Sequence, residues 1–322
     1  MAIERPCRCD HLMREAWLVA GRDELLWKSG TLADDNEAPP WFTWQVDILR
    51  SYVASEPPNT PGGTAMPARD VAPIGAPCWT DLWTSDVEGS RAFYSQLFGW
   101  EALEPSPEFG GYFMFARDGV PVAGGMGDMG DMAANNAWKI YLATDDLDRT
   151  IEETAAHGGE IFAPAMPVAD LGIQTVLADP TGAALGAWQA ETFPGFTVLG
   201  EPGAPSWFEL YTREYSAAVK FYRDVFKLDT QVMGDSDEFR YTTLLANGSG
   251  EQVAGIMDAT SFLPEGTPAY WITYWDVSNV DATAETAVKL GGSVLMAGTD
   301  TPYGRMATLA DTTGAQFRIR GE

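Results

Sequence analysis

Two acids stand out because aromatic side chains flank them at strand spacing. Trp79-Thr80-Asp81-Leu82-Trp83 and Trp207-Phe208-Glu209-Leu210-Tyr211 each hold an acid between aromatic residues two positions away on either side, and residues two apart on a strand share a face. Aromatic neighbours keep water from a carboxyl group. That raises its pKa toward the range in which it exchanges a proton near neutral pH. The other reading is an acid that is paired with a cation and chemically silent. Lys139, which shares a strand face with Tyr141, and Arg318, which shares one with Gln316 and Arg320, are the available cations. Asp81 and Glu209 are therefore the candidate catalytic groups. Trp79, Trp83, Lys139, Tyr141, Trp207, Tyr211, Tyr274 and Arg318 are the candidate ligand-binding groups, giving aromatic walls with a few polar anchors.

The remaining chemistry-bearing residues carry less. Cys78 has no histidine partner, and Cys7 and Cys9 are too close in sequence for an ordinary bridge. An odd number of cysteines points to a reducing, cytoplasmic setting rather than a disulfide framework. His11 lies in an N-terminal extension, and His157 ends a predicted helix, where the dipole favours it. Gly124-Gly125 lacks the spacing of a phosphate-cradling loop, and Met126–Met132 reads as a flexible insertion.

The elements that must position these groups are written twice. Trp79-Thr80-Asp81-Leu82 recurs as Trp207-Phe208-Glu209-Leu210, Phe93-Tyr94 as Phe221-Tyr222, and Val122-Ala123-Gly124 as Val253-Ala254-Gly255. Gly158-Gly159 recurs as Gly291-Gly292, and Asp179-Pro-Thr-Gly182 as Asp311-Thr-Thr-Gly314, all in one order and about 130 positions apart. Each copy predicts a strand, a helix (87–98 and 215–226), three strands, a fourth strand (138–143 and 270–276), a second capped helix ending at Gly-Gly, and closing strands. Asn247-Gly248 marks a hairpin. The expected organisation is an extension over 1–55, a Pro/Gly-rich linker over 56–76, module 1 over 77–191 and module 2 over 205–320. The fold class is α+β, two tandem modules of two βαβββ units each; the two modules are expected to pair within the chain, with the Phe93- and Phe221-bearing helices buried against their own sheets.

Composition removes several classes of function. Lys and Arg number 20 against 46 Asp and Glu, a net charge of −26. A surface that acidic repels phosphate backbones and anionic lipid, so neither nucleic acid nor membrane is an expected partner. No apolar run is long enough to span a bilayer. A small-molecule partner and a monomer or weak homodimer are expected.

The Phe93-Tyr94 helix leading to Phe98-Gly99-Trp100, the Asp145-Asp146-Leu147-Asp148 helix entry, the Gly158-Gly159 stop and the Asp179-Pro-Thr-Gly182 turn resemble the vicinal oxygen chelate superfamily of glyoxalases, bleomycin-resistance proteins and extradiol dioxygenases. The duplicated order is most similar to its two-module actinobacterial branch, often called hydroxylases. The resemblance implies curled sheets around a pocket, with helices outside. It also implies a divalent metal held from the first strand, the strand before the second helix and the last strand. In this sequence those positions fall on Trp79, Lys139 and Gly186, and on Trp207, Ile272 and Arg318, none of them a ligand, so no metal or other cofactor is expected. Three functional classes remain: a metal-free ligand-binding or resistance-type protein, a lyase, isomerase, hydroxylase-like or glyoxalase enzyme, and an interaction protein with vestigial pockets.

Overall fold

The computed structural model describes residues 69–107, 110–127, 136–236 and 239–321. Module 1 runs β1 (Pro77–Thr84), α1 (Val87–Phe98), β2 (Glu101–Ala102), β3 (Phe113–Arg117), β4 (Val120–Gly127), β5 (Ala137–Ala143), α2 (Leu147–Ala156), β6 (Glu160–Val168), β7 (Gly172–Ala178) and β8 (Ala184–Ala190). Module 2 repeats it as β9 (Pro205–Thr212), α3 (Tyr215–Val225), β10 (Asp229–Asp235), β11 (Arg240–Leu245), β12 (Gln252–Asp258), β13 (Tyr270–Val277), α4 (Val280–Lys289), β14 (Ser293–Thr301), β15 (Gly304–Ala310) and β16 (Gln316–Gly321). The extension over 1–55, the linker up to residue 68 and most of the Met126–Met132 loop lie outside the described residues.

Each module is one curled, mixed eight-stranded sheet, ordered β2-β3-β4-β1-β5-β8-β7-β6 and β10-β11-β12-β9-β13-β16-β15-β14. Within a βαβββ unit the first and last strands pair in parallel, and the antiparallel β1–β5 and β9–β13 pairs join the two units. The capping residues read from sequence act as such. Asp146 accepts from Arg149 N and Asn279 from Ala282 N, each satisfying one of the orphan donors of a first helical turn. Gly248 adopts φ 79° in the turn between β11 and β12. The second strand of module 1 is only Glu101–Ala102, and Trp100 just before it is drawn inward. It is 3% exposed, donates Nε1 to Gly203 O at 2.8 Å and packs 4.8 Å from Trp275. Among the described residues no helix is long and apolar enough to cross a membrane.

The expectation that each module's first helix packs only on its own sheet is corrected. Tyr94 of α1 accepts from Trp138 Nε1 of its own module (3.0 Å) and donates to Asp311 Oδ2 of the other (3.1 Å). The same clasp recurs in reverse. Tyr222 of α3 accepts from Trp271 Nε1 (2.9 Å) and donates to Asp179 Oδ2 (2.8 Å). Asp179 and Asp311 each use Oδ1 to close their own turns through Thr181 and Ala183, or Thr313 and Ala315. The helices carry apolar bulk on more than one side, Phe93 beside Tyr94 and Phe221 beside Tyr222, so a single sheet cannot cover them. Phe93 lies 6.4 Å from Phe317 in the other module.

The second glycine of each Gly-Gly pair makes room for this arrangement. A Cβ on Gly292 would sit 2.9 Å from Phe93 Cε2 and 2.6 Å from Ala310 O, and one on Gly159 would sit 3.1 Å from Phe221 Cε2 and 2.6 Å from Ala178 O. A backbone carbonyl cannot swing aside. Gly292→Ala is therefore expected to cost about 1–3 kcal/mol through overpacking. Thermal unfolding followed by circular dichroism checks this, and an unchanged midpoint would refute it.

Candidate functional site

The helices cover one face of each sheet, and the opposite, inner face forms a cup. Along β1, Cys78, Thr80 and Leu82 turn toward the helices, so Trp79, Asp81 and Trp83 turn into the cup. The register places Asp81 opposite Lys139 on one side and Gly124 on the other, and Trp79 opposite Tyr141, which in turn faces Gly186. The predicted residues of module 1 are thus brought together on one surface.

Asp81 is 5% exposed, and among the described residues no cation pairs with it. Its Oδ1 accepts from Trp79 Nε1 and from Tyr112 OH, both at 2.9 Å, and Tyr141 adds a third neutral donor. Burial pushes the carboxyl up to about 6, and the three hydrogen bonds only partly oppose it. Burial, then the charge of Asp81, holds the Tyr112 and Tyr141 phenols well above their ordinary value, so both enter as neutral donors. Lys139 is half-buried. Its ammonium lies 5.8 Å from the Trp83 ring centre and makes no hydrogen bond or ion pair with the described residues. Burial lowers its pKa. The sequence reading offered Lys139 as a possible ion-pair partner of Asp81; although they stand opposite each other, no such pair forms.

The cup of module 2 is built from the same positions but closed. Glu209, 5% exposed, accepts from Tyr274 OH at 2.5 Å and lies 3.6 Å from Arg318 Nη1. Arg318 also donates to Tyr274 OH and, through Nε, to Thr308 Oγ1 at 3.0 Å. Its guanidinium lies 5.3 Å from the rings of both Tyr211 and Tyr274. Trp207 donates to Tyr241 OH at 3.0 Å rather than to the acid. Here the carboxylate is paired with a cation.

Two corrections concern the aromatic residues. Trp79 does not form an open wall: it is 6% exposed, 4.9 Å from Phe193 and 5.3 Å from Phe196 of the inter-module connector. The connector is pinned there by Phe196 N to Cys78 O (2.7 Å) and Trp188 Nε1 to Phe193 O (3.0 Å). Tyr211 and Tyr274 are 3% and 2% exposed and belong to the core of the second cup. The half-buried groups of the first cup are Trp83, Tyr112 and Lys139. Tyr112, with its counterpart Tyr241, was missed from sequence. Its signal was the repeated Val-Ala-Gly, because a Cβ on Gly124 or Gly255 would collide with the Tyr112 or Tyr241 hydroxyl.

The β5 position expected to hold a ligand is also corrected. Lys139 and Ile272 stand opposite the acids, whereas Tyr141 and Tyr274 align with Trp79 and Gly186, and with Trp207 and Arg318. Neither row offers an imidazole or a carboxylate. At Gly186 the Tyr141 ring already fills the space a longer side chain would need, and at Arg318 a fixed positive charge occupies it. No group of three or more His, Cys, Asp or Glu is suited to a metal among the described residues. Among the described residues each first strand gives its cup one acid, by itself too few donors for a divalent ion. The described residues do not fit the metal that the resemblance implies.

Comparison with known proteins agrees with this architecture. The family model of the Glyoxalase/Bleomycin resistance protein/Dioxygenase superfamily matches residues 78–186 and 204–319. The chain belongs to this superfamily. It is 34% identical over 259 residues to the putative glyoxylase CFP32 of Mycobacterium bovis, covering 79% of this chain and 97% of that one. It is 37% identical over 266 residues to the anthracycline biosynthesis protein DnrV of Streptomyces peucetius, covering 76% and 92%. Among solved structures it is similar in fold to the Mn(II)-bound glyoxalase from Novosphingobium aromaticivorans, with a TM-score of 0.56 at 17% identity over 78% of this chain and 83% of that one. It is also similar in fold to the 2,3-dioxygenase LapB from Pseudomonas sp. KL28, with a TM-score of 0.55 at 14% identity over 78% and 93%.

Other superfamily-independent features fall outside the cups. A cleft of about 600 Å³ opens at the start of α3, lined by Arg213, Glu214, Tyr215, Arg240, Asp258 and Thr260 among others. Arg213 is spent on Thr260 O and Leu263 O, and Arg240 on Asp235 and Asp258. Burial pushes the Cys78 thiol up to about 12, which removes it as a nucleophile. His157 caps α2 and lies 3.8 Å from Asp224 of α3, a link between the modules rather than a site.

Proposed function

We propose that this superfamily member binds a small anionic or carbonyl-bearing organic molecule in the cup of module 1 without a divalent metal, and that module 2 is its structural partner. The observation that carries this is the contrast between the two acids. Glu209 is locked by Tyr274 and Arg318, while among the described residues Asp81 is held only by neutral donors, beside an ammonium that makes no ion pair with them. In a chain of net charge −26, a half-buried lysine without a carboxylate partner is a positive point reserved for something else. Trp83 and Tyr112 supply apolar surface beside it for a planar ligand. The names of the relatives, a glyoxylase and a protein of anthracycline biosynthesis, are compatible with a small organic ligand.

A second reading, turnover in the same cup, draws on one specific feature. A carboxyl group near 6 beside bound ligand can move a proton in either direction around neutral pH. Titration calorimetry with salicylate, on protein treated with a chelator, tests the main reading. Binding is expected to persist after chelation, to weaken at least about tenfold in Lys139→Met, the loss of one charge-assisted contact, and to be unchanged in Arg318→Met. Binding that returns only with a divalent metal, or that depends on Arg318 instead, would overturn it.

A further inference from the structure

Lys139 differs from the other lysines of the described chain. Lys220 pairs with Asp224 at 3.0 Å, Lys227 with Asp145 at 3.1 Å and Lys289 with Glu285 at 3.6 Å. Lys139 pairs with nothing described, is half-buried, and stands directly across the β1–β5 ladder from the buried carboxyl of Asp81. Opposed residues on one face of an antiparallel pair bring their Cβ atoms to about 4.5–5.5 Å, so a group held by Lys139 is within reach of Asp81. The position has no counterpart in module 2, where Ile272 takes its place.

We propose that Lys139 is a nucleophile that captures an aromatic or conjugated aldehyde or ketone as an imine, with Asp81 passing the protons. The inference rests on module 1 being the working cup and deepens it by naming the ligand's reactive group. The amine lone pair of Lys139 adds to the carbonyl carbon as the carbonyl π bond opens onto oxygen. The proton shed by nitrogen goes to the Asp81 carboxylate, and the alkoxide takes up a proton from solvent to give a carbinolamine. Protonated Asp81 then returns its proton to the carbinolamine hydroxyl, which leaves as water while the nitrogen lone pair forms the C=N bond. Neutral amine, carbonyl and one solvent proton enter, protonated imine and water leave, and no oxidant or reductant takes part. The protonated imine carries its charge where the ammonium stood, over the face of Trp83. Burial favours the neutral amine that the first step needs. Across the ladder from Lys139 stands Asp81, which accepts from Tyr112 and Tyr141, and the two tyrosines remain neutral.

The test is reductive trapping of the full chain with benzaldehyde and cyanoborohydride at neutral pH, followed by peptide mapping. Lys139 is expected to acquire a benzyl group measurably faster than exposed Lys220 and Lys289, because burial favours its neutral amine and Asp81 stands across the ladder to pass the protons. Asp81→Asn should slow labelling of Lys139 alone and remove the part of its pH dependence centred near about 6. A Lys139 labelled no faster than Lys220 and Lys289 overturns the inference. If salicylate binding still depends on Lys139 in that case, the cup remains the binding site and only the covalent step falls. If labelling and binding are both indifferent to Lys139, both readings fall.

Discussion

Expressing either module alone should give a chain without cooperative unfolding. One apolar core joins Phe93, Tyr94, Trp100, Phe115 and Trp138 of module 1 to Trp275, Val280, Leu309, Phe317 and Ile319 of module 2. The other joins Leu142, Leu147, Leu177 and Leu185 to Phe208, Leu210, Phe221 and Ile256. Separation would expose several fully buried aromatic and aliphatic side chains on each piece, each worth about 1.5–3 kcal/mol. It would also leave Asp179, Asp311 and both clasping tyrosines without their partners. A few such losses exceed the roughly 5–15 kcal/mol by which a domain is stable. Residues 69–200 and 201–321, expressed separately, should each lack a sharp thermal transition and should recover one when mixed. A monomeric, sharply melting fragment would contradict the shared cores.

Replacing Asp81 with Asn should make the protein more stable at alkaline pH and leave it little changed in acid. The Asp81 carboxyl stands at about 6 in the folded chain against an ordinary 3.8. Between those values the native chain keeps a proton that the unfolded chain has released. Stability therefore falls as pH rises through that window, the reverse of a salt-bridged aspartate, and the full cost above it is about 3 kcal/mol. Asn removes the charge but keeps an oxygen for Trp79 Nε1 and Tyr112 OH, so a gain of about 1–2 kcal/mol near pH 8 is expected, with none near pH 4. Chemical denaturation at the two pH values measures it. Equal effects at both would mean that the buried carboxylate costs nothing.

Much of the fold was legible because the chain states it twice. Periodicity, caps and turns located nearly every strand and helix, and the Gly-Gly and Asp-x-Thr-Gly landmarks fixed the repeat. What could not be read was which surface each landmark serves. Gly292 makes room for Phe93 and Asp311 accepts from Tyr94, pairings some 200 residues apart that no local pattern encodes. In the site, strand parity correctly put Trp79, Asp81 and Trp83 on one face. Parity does not give register, however, so Lys139 rather than Tyr141 was aligned with Trp79. Nor does it foretell that Phe193 and Phe196, in the connector between the modules, close over Trp79. The opposite fates of Asp81 and Glu209 turn on one substitution per cup, Gly186 against Arg318, which became readable only once neighbouring strands were in line.

The reciprocal clasp also bears on how a duplicated chain changes over time. On every strand, odd and even positions answer to different demands. Residues facing the helices hold the two copies to each other and must stay alike, which is why Tyr94 and Tyr222 still make mirrored bonds. The inward-facing partners that hold Asp81 and Glu209 each come from the acid's own half. One copy can therefore acquire Arg318 and lose its open interior while continuing to support its sibling, and the sibling can keep or alter its chemistry without weakening the union. Alternation along a strand separates inheritance of the architecture from inheritance of the activity, so a copy that had stopped binding anything would still be needed by its sibling.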